Sequence, residues 1–252
     1  MNLLKKTAAE HRRSLKILCV ADHIDPLVYS VNAKERFRDV HIILSAGDLS
    51  MNYLGFIAST LNRPVLFVFG NHNLKHLELF KRPQHFLRDG IRENFHTVNF
   101  FGSTYIGDKH YRHKGVLIAG LGGSIRYNEG KNQFTNFQMF LKILKLVPGL
   151  VYNRIIHGRW LDILLTHSPP YQLNDRDDPC HKGFRVFRNF MRVFKPAYLL
   201  HGHVHLYDQN AERETRYHQT RIINVYDHYV LDVELDGGGR FRRKNKKAAA
   251  HE

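Results

Sequence analysis

The chain has 252 residues, 43% of them hydrophobic and 24% charged, an ordinary globular composition with ample length for a core. No apolar run approaches the roughly 18–20 residues that cross a bilayer. The two cysteines, Cys19 and Cys180, form neither a CxxC pair nor a disulfide framework. A membrane-spanning class and a disulfide-rich secreted class are therefore set aside. The short apolar run at 15–21 ends at Asp22 without a small-residue cleavage pattern, so no secretory signal is read there. A reducing, cytoplasmic setting with no membrane partner is the expectation.

The net charge is +15, but +9 of it lies in residues 1–16 and 240–252, which leaves only +6 for the stretch between them. A basic extension over 1–14 and a flexible basic tail over 237–252, with its run "RFRRKNKK", bracket one domain over 15–236. Such tails give weak attraction to polyanions, so a weak nucleic-acid contact through them is a candidate interaction and base-specific binding is not expected.

In chain order, short β-rich apolar runs end in polar or glycine-containing turns. "LKILCVA" stops at Asp22, "VHIILSAGD" at Asp48, and "PVLFVFGNH" at Asn71 and His72. "GVLIAGLGGS" stops at Ser124, "LDILLTHSPP" at His167, and "AYLLHGHVH" at His203 and His205. Continuous Val/Ile/Leu runs of this length suit strands buried on both faces. Between them lie helical patterns. One covers 52–62. Another follows Gly183, with Phe184, Phe187, Met191 and Phe194 on one stripe, Arg185, Arg188 and Arg192 on the other, and Pro196 after its end. The segment 124–159, polar and then helical, is a candidate cap. "RIINVYDHYVLDVEL" reads as two strands joined at Asp227–His228. The pattern implies an α/β fold of layered sheets and helices.

Five strand ends thus deliver Asp, Asp, Asn-His, His and His-x-His. Ligands of open α/β sheets bind outside the carboxyl ends of the strands, so such ends can converge on one crevice. Carboxylate, amide oxygen and imidazole together suit manganese, iron or zinc. The chain has no GxSxG, Walker or CxxxxxR pattern to support a competing phosphate chemistry.

The ordered blocks "GD" (Gly47-Asp48), "GNH" (Gly70–His72), "THSPP" (His167) and "GHVH" (Gly202–His205) resemble the signature of the calcineurin-like metallophosphoesterases. "GLGGSIRYNEGKNQFT" and "HKGF" are similar to the bacterial Icc-related predicted phosphohydrolases within that superfamily. The resemblance implies a four-layer fold, two packed mixed β-sheets flanked by helices, and hydrolysis of phosphomonoesters or phosphodiesters at a dinuclear centre by a metal-activated hydroxide. Residue by residue it implies Asp48 bridging two divalent ions. Asp22 and His205 would complete the first site, and Asn71, His167 and His203 the second. His72 lies beside them as the catalytic group that protonates the leaving oxygen or stabilises the phosphoryl oxygens.

The chain also departs from that signature. The first block of the family is Asp-x-His, whereas Ile24 stands here in the histidine's place. The first site is therefore expected to be the weaker, with water, Asp25 or nothing in the missing position. "GDLSMN" offers Asn52 where an acid is common, and Asn73 follows His72 in place of another. Arg126 and Asn128, after the turn at Gly122–Gly123, and His181 are the candidate substrate contacts. A metal-poor, inactive scaffold with the same fold is the rival reading, and Ile24 is its best argument.

Overall fold

A computed structural model of the chain describes residues 13–81, 84–88, 91–95, 99–208 and 211–235. The tail at 237–252 and nearly all of the extension at 1–14 lie outside the described residues.

The chain begins with β1 (Arg13–Ala21), α1 (Ala33–Arg36), β2 (Val40–Ser45), α2 (Met51–Leu61), β3 (Val65–Phe67) and α3 (Leu77–Lys81). A hairpin of β4 (Gln84–Arg88) and β5 (Ile91–Phe95) follows, then β6 (Asn99–Phe100) and β7 (Ser103–Tyr105). Next come β8 (Lys109–His113), β9 (Val116–Leu121), β10 (Ser124–Ile125), β11 (Gln133–Phe134), α4 (Asn136–His157) and β12 (Ile163–Thr166). The chain closes with α5 (Arg185–Phe194), β13 (Tyr198–His201), β14 (Glu214–Tyr217), β15 (Thr220–Asn224) and β16 (Asp227–Leu235).

Two six-stranded mixed sheets result, in the orders β16-β1-β2-β3-β7-β6 and β14-β15-β13-β12-β9-β8. Each has four parallel strands inside and an antiparallel strand at either edge. The expected four layers are present because both faces of each sheet are apolar. In β1, Ile17, Cys19 and Ala21 enter the core between the sheets, while Leu18 and Val20 face the core beneath α2 and α3. In β12, Ile163 and Leu165 face inward and Leu164 faces the core beneath α4 and α5. Side chains alternate across a strand, so two buried faces turn an alternating pattern into the continuous runs seen in the sequence.

Ser50 accepts the amide of Tyr53 at the start of α2, and Asn62 closes that helix in the left-handed region. Thr135 and Gln138 form a reciprocal capping box on α4. In α5, Phe187, Phe190 and Met191 are buried, and Phe184 is the residue before its first turn. The segment 124–159 contributes the small parallel pair β10–β11 and then α4, which lies on the second sheet through Met139, Ile143, Leu146 and Leu150. The last two strands break at Val225–Tyr226 and enter different sheets: β15 pairs with β13, and β16 runs antiparallel to β1. Asn224 makes that turn. Its Oδ1 accepts the amide of Tyr226 at 2.9 Å, and its Nδ2 donates to the Val204 carbonyl at 2.7 Å.

Candidate metal centre at the strand ends

The loops after β1, β2, β3, β12 and β13 meet at one end of the sandwich. Asp22, Asp48 and His203 have φ values of 65°, 57° and 70°, so each parallel run turns sharply at its polar residue. The glycines before Asn71 and His203 are required by crowding. A Cβ on Gly70 would collide with the Asp48 carboxylate and the His167 ring, and one on Gly202 would collide with the Asp22 carboxylate.

The tightest part is built on Asp48, Asn71, His167 and His203. His167 is fully buried. Its Nδ1 donates to the Ala46 carbonyl at 2.8 Å, which fixes the ring and directs Nε2 into the site. Nε2 lies 3.2 Å from Asp48 Oδ2 and 3.1 Å from Asn71 Oδ1. His203 donates from Nε2 to the Cys180 carbonyl at 2.6 Å, leaving the Nδ1 lone pair for a ligand. Ligand atoms of Asp48, His167 and His203 all lie within 4.8 Å of one another. Asp48 Oδ1 accepts the His72 amide at 2.8 Å, and the Asp48 carbonyl accepts Asn73 Nδ2 at 2.7 Å. Carboxylate and amide oxygens 3.2 and 3.1 Å from His167 Nε2, with a His203 nitrogen within 4.8 Å, fit a divalent cation.

Without a cation, a proton serves. Burial alone would lower the His167 pKa, but the Asp48 carboxylate beside it raises it to about 9. Burial would likewise raise the Asp48 carboxyl, yet His167 and the His72 amide hold it at about 2. His203 falls to about 3, chiefly through burial and then through the neighbouring His167 charge.

The other side of the site is less braced. Asp22 Oδ2 accepts the His203 amide at 2.9 Å, while Oδ1 is buried with no hydrogen-bond partner among the described residues. Burial pushes this carboxyl up to about 7. An orphaned carboxylate oxygen fits a cation that would satisfy it. His205 is half-buried, its Nδ1 3.1 Å from the Tyr207 hydroxyl and its ring against Tyr226. Among the described residues, Asp22 and His205 do not join a ligand group as tight as that of His167.

The residues around the missing histidine turn away. His23 Nδ1 lies 2.8 Å from Asp227 Oδ1, Asp25 Oδ1 accepts the Leu27 amide at 2.7 Å, and Asp25 Oδ2 pairs with His228 Nδ1. Asp25 is thus committed to a turn and to β16, and Ile24 is 43% exposed.

His72 exposes its ring to solvent beside Asp48. Arg126 bonds Gln138, and Asn128 closes its own loop onto Gly130 and Gln133. Tyr127 between them reaches the site, its hydroxyl accepting Asn71 Nδ2 at 3.2 Å. His181 bonds Asp178 at 2.8 Å, and its ring centroid is 5.4 Å from that of His203. Asp178, Cys180 and His181 form a second, half-exposed group of ligand types. Two supporting residues escaped the sequence reading. Asn132 donates to the Gly70 carbonyl at 2.6 Å and so steadies the turn that carries Asn71. Its only signal was a polar position after a glycine-rich turn. Ala46 acts through its main chain and leaves no signal at all.

Carboxylate, amide and imidazole donors gathered at one end of a double-sheet sandwich are the scaffold of a metal-binding hydrolase. The sequence model of the calcineurin-like phosphoesterases matches residues 15–207, and the chain belongs to that family. Its members hydrolyse phosphoesters with divalent metals, and this chain carries a matching donor group. The chain is similar in fold to the protein TT1561 of Thermus thermophilus, with a TM-score of 0.54 and 12% identity over 91% of this chain and 98% of that one. A second crystal structure is similar with a TM-score of 0.58 and 12% identity, covering 87% and 95% of the two chains. No curated protein sequence matches.

Proposed function

We propose that the protein hydrolyses phosphomonoesters or phosphodiesters at a dinuclear divalent-metal centre. The observation that carries the reading is the convergence of Asp48 Oδ2, Asn71 Oδ1 and His167 Nε2 with the far side of His167 already committed to Ala46. Asn71, His167 and His203 would hold one ion, Asp22 and His205 the other, and Asp48 both. Divalent ions, manganese, iron or zinc by donor type, supply Lewis acidity at the phosphoryl oxygens and a lowered pKa for attacking water. The chain's own groups do the rest. Ala46 and the Cys180 carbonyl hold two imidazoles in fixed tautomers, and Tyr127 orients the Asn71 amide. We assign His72 the proton donation to the leaving oxygen, since its side chain is exposed and its amide is bonded to Asp48 at the site. His181, Arg126 and Asn128 remain the proposed substrate contacts. The basic tails lend a nucleic-acid substrate weak, sequence-independent support.

The test is turnover of bis(4-nitrophenyl) phosphate and 4-nitrophenyl phosphate by metal-stripped protein resupplied with manganese, iron, zinc or nickel. Metal-dependent hydrolysis that Asp48→Asn abolishes is the expected result. A lack of turnover with every metal would favour the rival, an inactive scaffold, for which the diversion of His23 and Asp25 toward β16 is the specific observation.

A further inference from the structure

We propose that the outward face of α4 docks the protein on an anionic phospholipid surface. This 22-residue helix is apolar on two opposite sides. Met139, Ile143, Leu146 and Leu150 are buried against the second sheet. At about 100° per residue the opposite direction is occupied by Phe137, Leu141, Leu144, Val151, Tyr152 and Ile155. All six are exposed, Phe137 at 67%, Tyr152 at 60% and Ile155 at 74%. Phe137 and Ile155 are five full turns apart, so the stripe runs for about 27 Å along one line. Single exposed apolar residues are normal, but a contiguous stripe of this length marks an interaction surface.

Charge selects the occupant. Neither α4 nor α5, which covers the same sheet, contains an acidic residue. Lys142 is paired with Asp108, and Arg154 bonds the Gly158 carbonyl and lies over Trp160, which leaves Lys145 beside the exposed stripe and Arg192 exposed on the neighbouring α5. An acid-free apolar face bordered by cations is the pattern of a helix lying in the headgroup region of an anionic membrane. A second copy of this chain would bring the same acid-free, cationic face against this one, and like charges would oppose it. The helix binds the surface without crossing it, since none of the described helices is long and apolar enough to span.

The experiment is flotation of the full chain with vesicles of phosphatidylcholine alone and of an equal phosphatidylcholine–phosphatidylglycerol mixture, at low and high salt. Binding to the anionic vesicles only, weakened by salt, is expected. Leu144→Glu and Ile155→Glu should each lower that binding by roughly tenfold or more, since each removes a large buried side chain from the contact. Lys145→Glu should lower it by a smaller factor. Both stripe positions are exposed, so circular dichroism and melting should be unchanged. Binding that persists undiminished in Leu144→Glu and Ile155→Glu would assign attachment to the basic tails and overturn the proposal. So would a wild-type protein that ignores anionic vesicles at low salt. A wild-type dimer that Ile155→Glu dissociates would give the face to a second copy and also overturn it.

Discussion

The two sides of the strand-end site are built to different standards. Around His167 both ring nitrogens and the adjoining turn are braced: Ala46 behind the ring, Asp48 and Asn71 before it, Asn132 and Tyr127 steadying the turn that carries Asn71. Around Asp22 one carboxylate oxygen is buried with no partner among the described residues, and the two neighbouring polar residues bond to β16 instead. The difference teaches that a ligand set is specified by the groups behind the ligands as much as by the ligands themselves.

The largest expected effect tests that contrast directly. His167→Ala should remove about a thousandfold of metal-dependent hydrolysis, because it deletes a donor whose orientation is already fixed. His205→Ala, on the half-buried side, should cost only about tenfold. Paired kcat measurements at saturating metal check this, and equal losses would erase the distinction between the two sides.

Metal uptake should depend on pH through His167. With a pKa of about 9 it carries a proton in the metal-free protein at neutral pH, and that proton sits on the nitrogen a cation needs. Affinity should therefore rise by up to about tenfold per pH unit from pH 7 to pH 9 and level off above it. Titration calorimetry in two buffers of different ionisation enthalpy should show about one proton released per ion at pH 7. A flat profile would mean that the proton does not occupy the site.

A smaller effect concerns stability without metal. The Asp22 carboxyl is raised to about 7 by burial, so between its ordinary range and pH 7 the folded chain keeps a proton that the unfolded chain has lost. Stability attached to this group thus falls as pH rises through that window. Asp22→Asn should make the metal-free protein more stable at pH 8, by up to about 4 kcal/mol, with the gain vanishing near pH 4. Melting in chelator at both pH values reads this out, and a variant that melts lower at pH 8 would show that Asp22 has a counter-charge.

Much of this was legible in the sequence because the strands are buried on both faces. Runs such as "VHIILSAGD" are continuous, end abruptly, and mark their own carboxyl ends, so the order Asp22, Asp48, Asn71, His167, His203 already traced one edge of the sandwich. What stayed hidden depends on partners distant along the chain. Nothing local indicates that residues 227–235 return beside β1, with Ala21 opposite Asp227 and Val20 opposite His228. That pairing is what captures His23 and Asp25. The outer stripe of α4 was hidden for the opposite reason: a helix apolar on two sides reads from sequence as buried or capping, and only its packing shows which side is free.

The smallest expected effect bears on that hidden pairing. Ile24 is 43% exposed, so Ile24→His should change stability by no more than about 0.5 kcal/mol. If the type of residue 24 is what separates the two sides of the site, the new imidazole should tighten the weaker of the two proposed metal sites by about tenfold, read by competition with a chromogenic chelator. An unchanged affinity would place the cause elsewhere. The loop after Asp22 is held by the Asp25–His228 and His23–Asp227 contacts, and these would then aim residue 24 away whatever its side chain. Combining Ile24→His with His228→Ala separates the two causes. A gain that appears only in the double variant would show that β16, through its register with β1, keeps residue 24 from the proposed first site.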